Sequence, residues 1–231
     1  MSYEQKTPTI SPLTAHSSQL TTHNSQLTAH SSQLTASPYL RTMIDFSHDL
    51  DACLETLYSG GVILYPTDTI WGLGCDATNP TAVRKLIKLK GKPLHKGLIV
   101  LLASERDVLQ YTANPDLEVF DYLATAKKPT TVIYEHGLEV AEDVLNEDGS
   151  IAIRLVAEDF CRHLIKRFKK PVVSTSANLH GQPSPQNFSD ISPEIKSGVD
   201  YIVHFRQKDE SLNTSSSIIK WKNGKALIIR E

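Results

Sequence analysis

The chain has 231 residues, 40% hydrophobic and 22% charged, with a formal net charge of −2. That length buries one substantial core or two small ones, and the near-neutral balance argues against a domain built around a long polyanion, which demands an overall basic surface. Three cysteines, Cys53, Cys75 and Cys161, are odd in number and in no Cys-x-x-Cys pair, which argues against a disulfide framework or zinc ribbon and suits a reducing cytosol.

In chain order, residues 1–42 are a different material. A seven-residue repeat, LTAHSSQ–LTTHNSQ–LTAHSSQ–LTASPYL, starts at Leu13, Leu20, Leu27 and Leu34. A coiled-coil seam needs two apolar positions per heptad, and only one is present. The segment cannot bury enough surface to offset its ordering entropy, so it is expected to be disordered, with Met43 a candidate functional start and one folded domain over 43–231. No apolar run reaches membrane-spanning length, and no secretory h-region is present. A cytoplasmic protein without a membrane partner is expected.

Leu50, Cys53, Leu54 and Leu57 lie at helical spacing and predict a helix over Asp49–Tyr58, stopped by Gly60-Gly61. Val62–Tyr65 reads as a buried strand. Asn79-Pro80 predicts a helix start, with Val83, Leu86, Ile87 and Lys90 on related faces. Leu98–Leu102 is a second buried strand; Ser104 with Asp107 resembles a capping box, and Asn114-Pro115 is expected to open another helix. Thr131–Tyr134 and Ile151–Leu155 read as strands, Ala157–Phe168 as a helix, and Pro171–Ser174 as a strand. The chain closes on a hairpin, Ser216–Trp221 and Ala226–Arg230, with Asn223-Gly224 at its turn. The fold class expected is α/β: helices packed on a twisted sheet, mixed parallel and antiparallel.

From Ala77 to Ser104 there are six basic residues, Arg84, Lys85, Lys88, Lys90, Lys92 and Lys96, and no acidic one. Clustered cations on a near-neutral body raise the local anion concentration and suit a phosphate-bearing small molecule, while a solvated helix face gives the same pattern. There is no G-x-x-x-x-G-K-[ST] loop, no G-x-S-x-G elbow, and no His or carboxylate pair at metal-ligand spacing, so no protein-held metal is expected. What remains is hydroxyl, amide and cationic side chains in loops after strands, where α/β sheets place ligands. Tyr65-Pro66-Thr67-Asp68-Thr69 is one such loop, and Ser174-Thr175-Ser176-Ala177-Asn178 another. Ser, Thr and Asn there also cap turns and helices, so each loop alone leaves both roles open. Gly91 and Pro93 suggest a loop setting for Lys90 and Lys92, which lets both ammonium groups reach one polyphosphate. Arg154 ends the strand-like run IAIRL and on sequence alone is expected to face solvent.

Four linked segments resemble the YrdC-like threonylcarbamoyl-AMP synthases: GGVILYPTDTIWGLGCDATN, the K-G-K-P loop followed by LIVL, STSANLHGQPSP, and SSIIKW…IIR. The resemblance covers about Met43 to Arg230 in the family's order, and implies a single YrdC-like domain, in its short form, with a central cationic cavity. It also implies a nucleotidyltransferase joining L-threonine, bicarbonate and ATP, its Mg²⁺ carried with the nucleotide, into threonylcarbamoyl-AMP and pyrophosphate. That product feeds tRNA threonylcarbamoyladenosine modification by downstream threonylcarbamoyl-transfer proteins. By position, Thr67, Arg154, Ser174 and Ser216 would hold threonine. Lys90, Lys92, Ser150, Ser176, Asn178, Ser184 and Arg230 would hold ATP, with Lys90 and Lys92 the catalytic cations. The family usually has Arg at position 92 and Ser at position 180, where this chain has Lys92 and His180. A rival reading is a non-catalytic double-stranded RNA-binding module using this patch and the basic run Arg162–Lys170. A carbamoyl-transfer domain of hydrogenase maturation ranks last, because its zinc-finger-like and acylphosphatase-like neighbours are missing.

Overall fold

The computed structural model describes residues 38–91, 98–211, 213–222 and 224–231, with side chains from residue 46 onward. Residues 1–37 of the expected disordered segment, and Lys92 in the 92–97 stretch, lie outside the described residues. Helix α1 (Pro38–Tyr58) starts upstream of the expected Asp49 and passes through the expected boundary at 42/43. Its Phe46, Leu50, Cys53 and Leu57 form a buried stripe, because spacings of three and four keep one face inward. That stripe meets α5 (Asp159–Phe168), where the Phe46 and Phe160 rings stand edge to face at 5.7 Å.

Among the described residues nine strands make one mixed sheet. They are β1 (Ile63–Tyr65), β2 (Gly72–Gly74), β3 (Ile99–Leu102), β4 (Thr130–Tyr134), β5 (Ile151–Leu155), β6 (Val172–Ser176), β7 (Tyr201–Ile202), β8 (Ser217–Lys222) and β9 (Lys225–Arg230). Their order is β7-β1-β2-β6-β3-β5-β4-β8-β9. β1 with β7, β3 with β5 and β4 with β8 run parallel; the other pairs are antiparallel. β6 joins the halves: Val172–Ser174 pair with β3, while Thr175 and Ser176 pair with β2.

Side chains alternate across a strand, so register assigns the faces. Val100, Ile153, Val173 and Val132 are matched neighbours and share the core face. Ile99, Ala152, Ser174, Thr131 and Arg154 fall on the other face, which therefore carries the polar groups. All three cysteines are buried and unpaired, and burial raises each thiol pKa. Gly74 in β2 is closely packed by the Tyr65 ring and the β6 backbone: a Cβ there would stand 2.6 Å from Tyr65 Cε1 and 3.0 Å from the Val173 carbonyl. Gly74→Ala should therefore destabilise the fold by about 1–3 kcal/mol through overpacking; an unchanged urea midpoint would show that Tyr65 yields freely.

Several expected elements shift. Helix α2 (Pro80–Lys90) begins as expected, with the Asn79 side chain accepting from the Thr81 and Ala82 amides. Lys90 is its last residue rather than part of a loop, and Gly91, at φ 61°, ends it left-handed. Ser104 precedes α3 (Glu105–Tyr111) without a side-chain capping bond. Asn114-Pro115 opens no helix: α4 (Glu118–Thr125) starts later, where Asp116 accepts from the Glu118 amide. Strand β7 and helix α6 (Pro193–Gly198) were not expected.

Candidate functional site

The polar face of the sheet opens into a cavity of ≈ 230 Å³, floored by β2, β3, β5, β6 and β8 and edged by β9. Arg154, Ser174, Ser176, Ser184, Ser216 and Arg230 line it, six of the residues singled out from sequence. Thr69, Gly72 and Ser215 complete its polar rim. Gly72 leaves the floor open: a Cβ there would sit 3.2 Å from Ser174 Oγ.

Arg154 does not face solvent; its side chain is only 4% exposed. Its in-register neighbours are Leu101 and Thr131, which put it in mid-sheet on the polar face. Nη2 stands 3.0 Å from Asp68 Oδ1. The alignment falls short of a hydrogen bond, so Nε, Nη2 and Asp68 Oδ1 are buried without one. Such groups are costly to leave unmatched, and a planar fork in this condition suits a carboxylate. Burial, and then the charge of Arg154, lower the pKa of Arg230, so the two guanidinium groups share one electrostatic neighbourhood. Arg230 also reaches the Ser216 carbonyl through Nη2 at 2.9 Å.

The hydroxyls are held by one another. Thr131 Oγ1 and Ser216 Oγ lie 2.9 Å apart, both buried. Thr67 stands behind the rim: its Oγ1 donates to the Ile70 carbonyl at 2.8 Å and lies 2.9 Å from Thr69 Oγ1. That pattern locks the loop after β1, and Arg206 Nη1 pins the Thr67 carbonyl from outside at 3.1 Å. Arg206 occupies left-handed backbone at φ 64° and is braced by Asp209. Thr69 belongs to a ligand loop singled out from sequence, though without a role of its own; Thr131 and Arg206 were not singled out, because a hydroxyl or guanidinium carries no periodic signal and these come from two separate segments.

Lys90 reaches the loop after β6 rather than the cavity wall. Its Nζ donates to the Ser176 carbonyl at 2.6 Å and Oγ at 3.2 Å, and to the Asn178 carbonyl at 2.9 Å and Oδ1 at 3.1 Å. Lys90, Ser176 and Asn178 are thus one cluster, with Ser176 on the cavity side. His180 joins it through its backbone amide, which donates to the Lys90 carbonyl at 2.8 Å. Ser150 stands apart: its Oγ accepts from Asn146 Nδ2 at 2.9 Å, and it does not line the cavity. Among the described residues, no group of three or more His, Cys, Asp or Glu is placed to hold a metal, and no helix is long and apolar enough to cross a membrane.

The Sua5/YciO/YrdC family model, described as telomere recombination, matches residues 55–231. The chain belongs to that family. A threonylcarbamoyl-AMP synthase of Stenotrophomonas maltophilia is 35% identical over 157 residues, covering 67% of this chain and 84% of that protein. One from Vibrio campbellii is 34% identical over 182 residues, covering 78% and 97%. Among solved structures, Pyrococcus abyssi Sua5 complexed with L-threonine matches at TM-score 0.68 and 22% identity, over 79% of this chain and 54% of Sua5. Escherichia coli YciO matches at TM-score 0.67 and 20% identity, over 80% and 89%. These structural likenesses show that the mixed sheet with its helices is the Sua5/YciO fold.

Proposed function

We infer that this member of the Sua5/YciO/YrdC family is an L-threonylcarbamoyladenylate synthase, a nucleotidyltransferase that makes threonylcarbamoyl-AMP and pyrophosphate from L-threonine, bicarbonate and ATP. The observation that carries the reading is the buried Arg154 fork with unsatisfied donors, in the wall of a cavity rimmed by hydroxyls and a second guanidinium. Family relatives identical at about a third of the aligned residues bear that enzyme name.

In this reading Arg154 pairs with the threonine carboxylate, while Thr67, Ser174 and Ser216 shape the pocket for its side chain and amine. The amine takes up bicarbonate with loss of water, or the carbon dioxide in equilibrium with it with loss of a proton, to give a carbamate, and a carbamate oxygen then attacks the α-phosphorus of ATP, expelling pyrophosphate. No protein nucleophile is needed; alignment and charge neutralisation are the large terms in such transfers. Arg230, Lys90 and Lys92 offset the triphosphate charge, and Ser176, Asn178 and Ser184 complete the nucleotide side, while Ser150, held by Asn146 away from the cavity, is left without a direct contact. Mg²⁺ enters as part of the ATP substrate, held mainly through phosphate oxygens. The adenylate passes to tRNA threonylcarbamoyl-transfer proteins in the cytoplasm.

The RNA-binding reading is weaker, because Arg162, Arg167 and Lys170 in the second basic run are already ion-paired with Asp159, Asp51 and Asp76. Incubation with ATP, Mg²⁺, labelled bicarbonate and L-threonine tests the synthase. Label should appear in an adenylate only when threonine is present; threonine-independent ATP hydrolysis without labelled product would overturn the assignment.

A further inference from the structure

One charged group beside the cavity has no part in the chemistry above. Asp68 follows Thr67 in the loop after β1, with its side chain 8% exposed and opposite the Arg154 guanidinium at 3.0 Å. A buried ion pair normally holds its place through aligned hydrogen bonds that offset desolvation. Here the Coulomb partner is close, but Arg154 Nε and Nη2 both keep their donors unspent. The loop fixes Asp68 independently: the Thr69 amide donates to Thr67 Oγ1 at 3.1 Å, and Arg206 holds the Thr67 carbonyl. Arg230 lines the same cavity, and its like charge is felt between the two guanidinium groups. A guanidinium so placed needs a fixed negative charge to stay in the cavity wall.

We propose that Asp68 is the positioning residue for Arg154: its carboxylate, 3.0 Å from Nη2 without an aligned hydrogen bond, holds the guanidinium in the cavity wall by charge and leaves its hydrogen-bonding capacity for the carboxylate of an amino-acid substrate. The inference rests on the threonine reading of this site and adds a residue that acts through Arg154 rather than on the substrate. It also accounts for the misaligned pair. Full hydrogen bonding to Asp68 would consume the donors that the substrate needs, whereas no carboxylate at all would let Arg230 push Arg154 away. Asp68 further lines a neighbouring cavity of ≈ 390 Å³ with Thr130 and Leu155, so one additional methylene has room.

The test compares wild type, Asp68→Asn and Asp68→Glu, reading steady-state constants for threonine and ATP together with calorimetric binding of L-threonine. D68N should raise both KM and Kd for L-threonine about tenfold or more, the scale of one charge-assisted contact, with the ATP KM within about twofold. D68E, which keeps the charge but displaces it, should fall between the two, roughly threefold above wild type for threonine. A purely structural role would move both substrates together and would not be recovered by Glu. Folded D68N with wild-type threonine affinity, or with equal losses for both substrates, overturns the inference. Should D68N not fold, D68E alone decides: wild-type threonine constants in that variant overturn it. Wild-type protein that binds no L-threonine removes the threonine reading itself, whereas binding by wild type and D68N alike removes only the role of Asp68.

Discussion

Arg154→Lys should raise the KM for L-threonine about a hundredfold, roughly 2.7 kcal/mol, with the KM for ATP nearly unchanged. Lysine keeps a positive charge opposite Asp68, so the variant avoids leaving a lone buried carboxylate, a loss of about 3–5 kcal/mol that would confuse folding with function. What disappears is the planar fork. The two unsatisfied donors of Arg154 are replaced by an ammonium that meets a carboxylate as a point charge, without bidentate alignment. Initial rates of adenylate formation over a threonine titration measure the effect. A folded variant with wild-type threonine constants would remove Arg154 from the substrate site.

Lys90→Met should lower turnover by about 10²–10³-fold, the scale of losing one preorganised charge at a phosphoryl-type transition state. Methionine keeps the apolar stem that is buried at the end of α2. Such a variant does not leave stability untouched. Nζ donates to the Ser176 and Asn178 carbonyls, and stranding these acceptors costs about 1–3 kcal/mol each. The melting temperature should therefore fall along with the rate, while the isolated rate loss is read at a temperature where both proteins are folded. Wild-type turnover in the folded variant would show that Lys90 only buttresses the loop after β6.

Sequence carried most of this far. The apolar spacing of Leu50, Cys53 and Leu57 marked the buried face of α1, and Asn79-Pro80 marked the start of α2, because periodicity and caps are local codes. Asn114-Pro115 misled for the same reason: Asp116 two residues later competes for the role of satisfying the first helical amides, and it won. β2 and β7 have only three and two residues, too few for a period to register. At the site, loops after strands pointed to Ser174, Ser176 and Thr67 before any coordinates. The burial of Arg154 was invisible, because IAIRL alternates equally well for a strand with one wet face. The register places it in mid-sheet between Leu101 and Thr131, and its low exposure shows that the polar face is covered there. Ser150 sits with Asn146 instead of the cavity lining, a distinction of a few residues along one face that spacing cannot resolve.

The burial of Cys53, Cys75 and Cys161 gives the molecule a built-in clock. With their thiols enclosed and their pKa values raised, alkylating reagents meet no reactive thiolate in the native state. Each cysteine lies in a different segment of the fold: α1, the turn after β2, and α5. Labelling at all three with one rate constant would report opening of the whole domain, whereas early labelling at a single position would mark the segment that comes loose first.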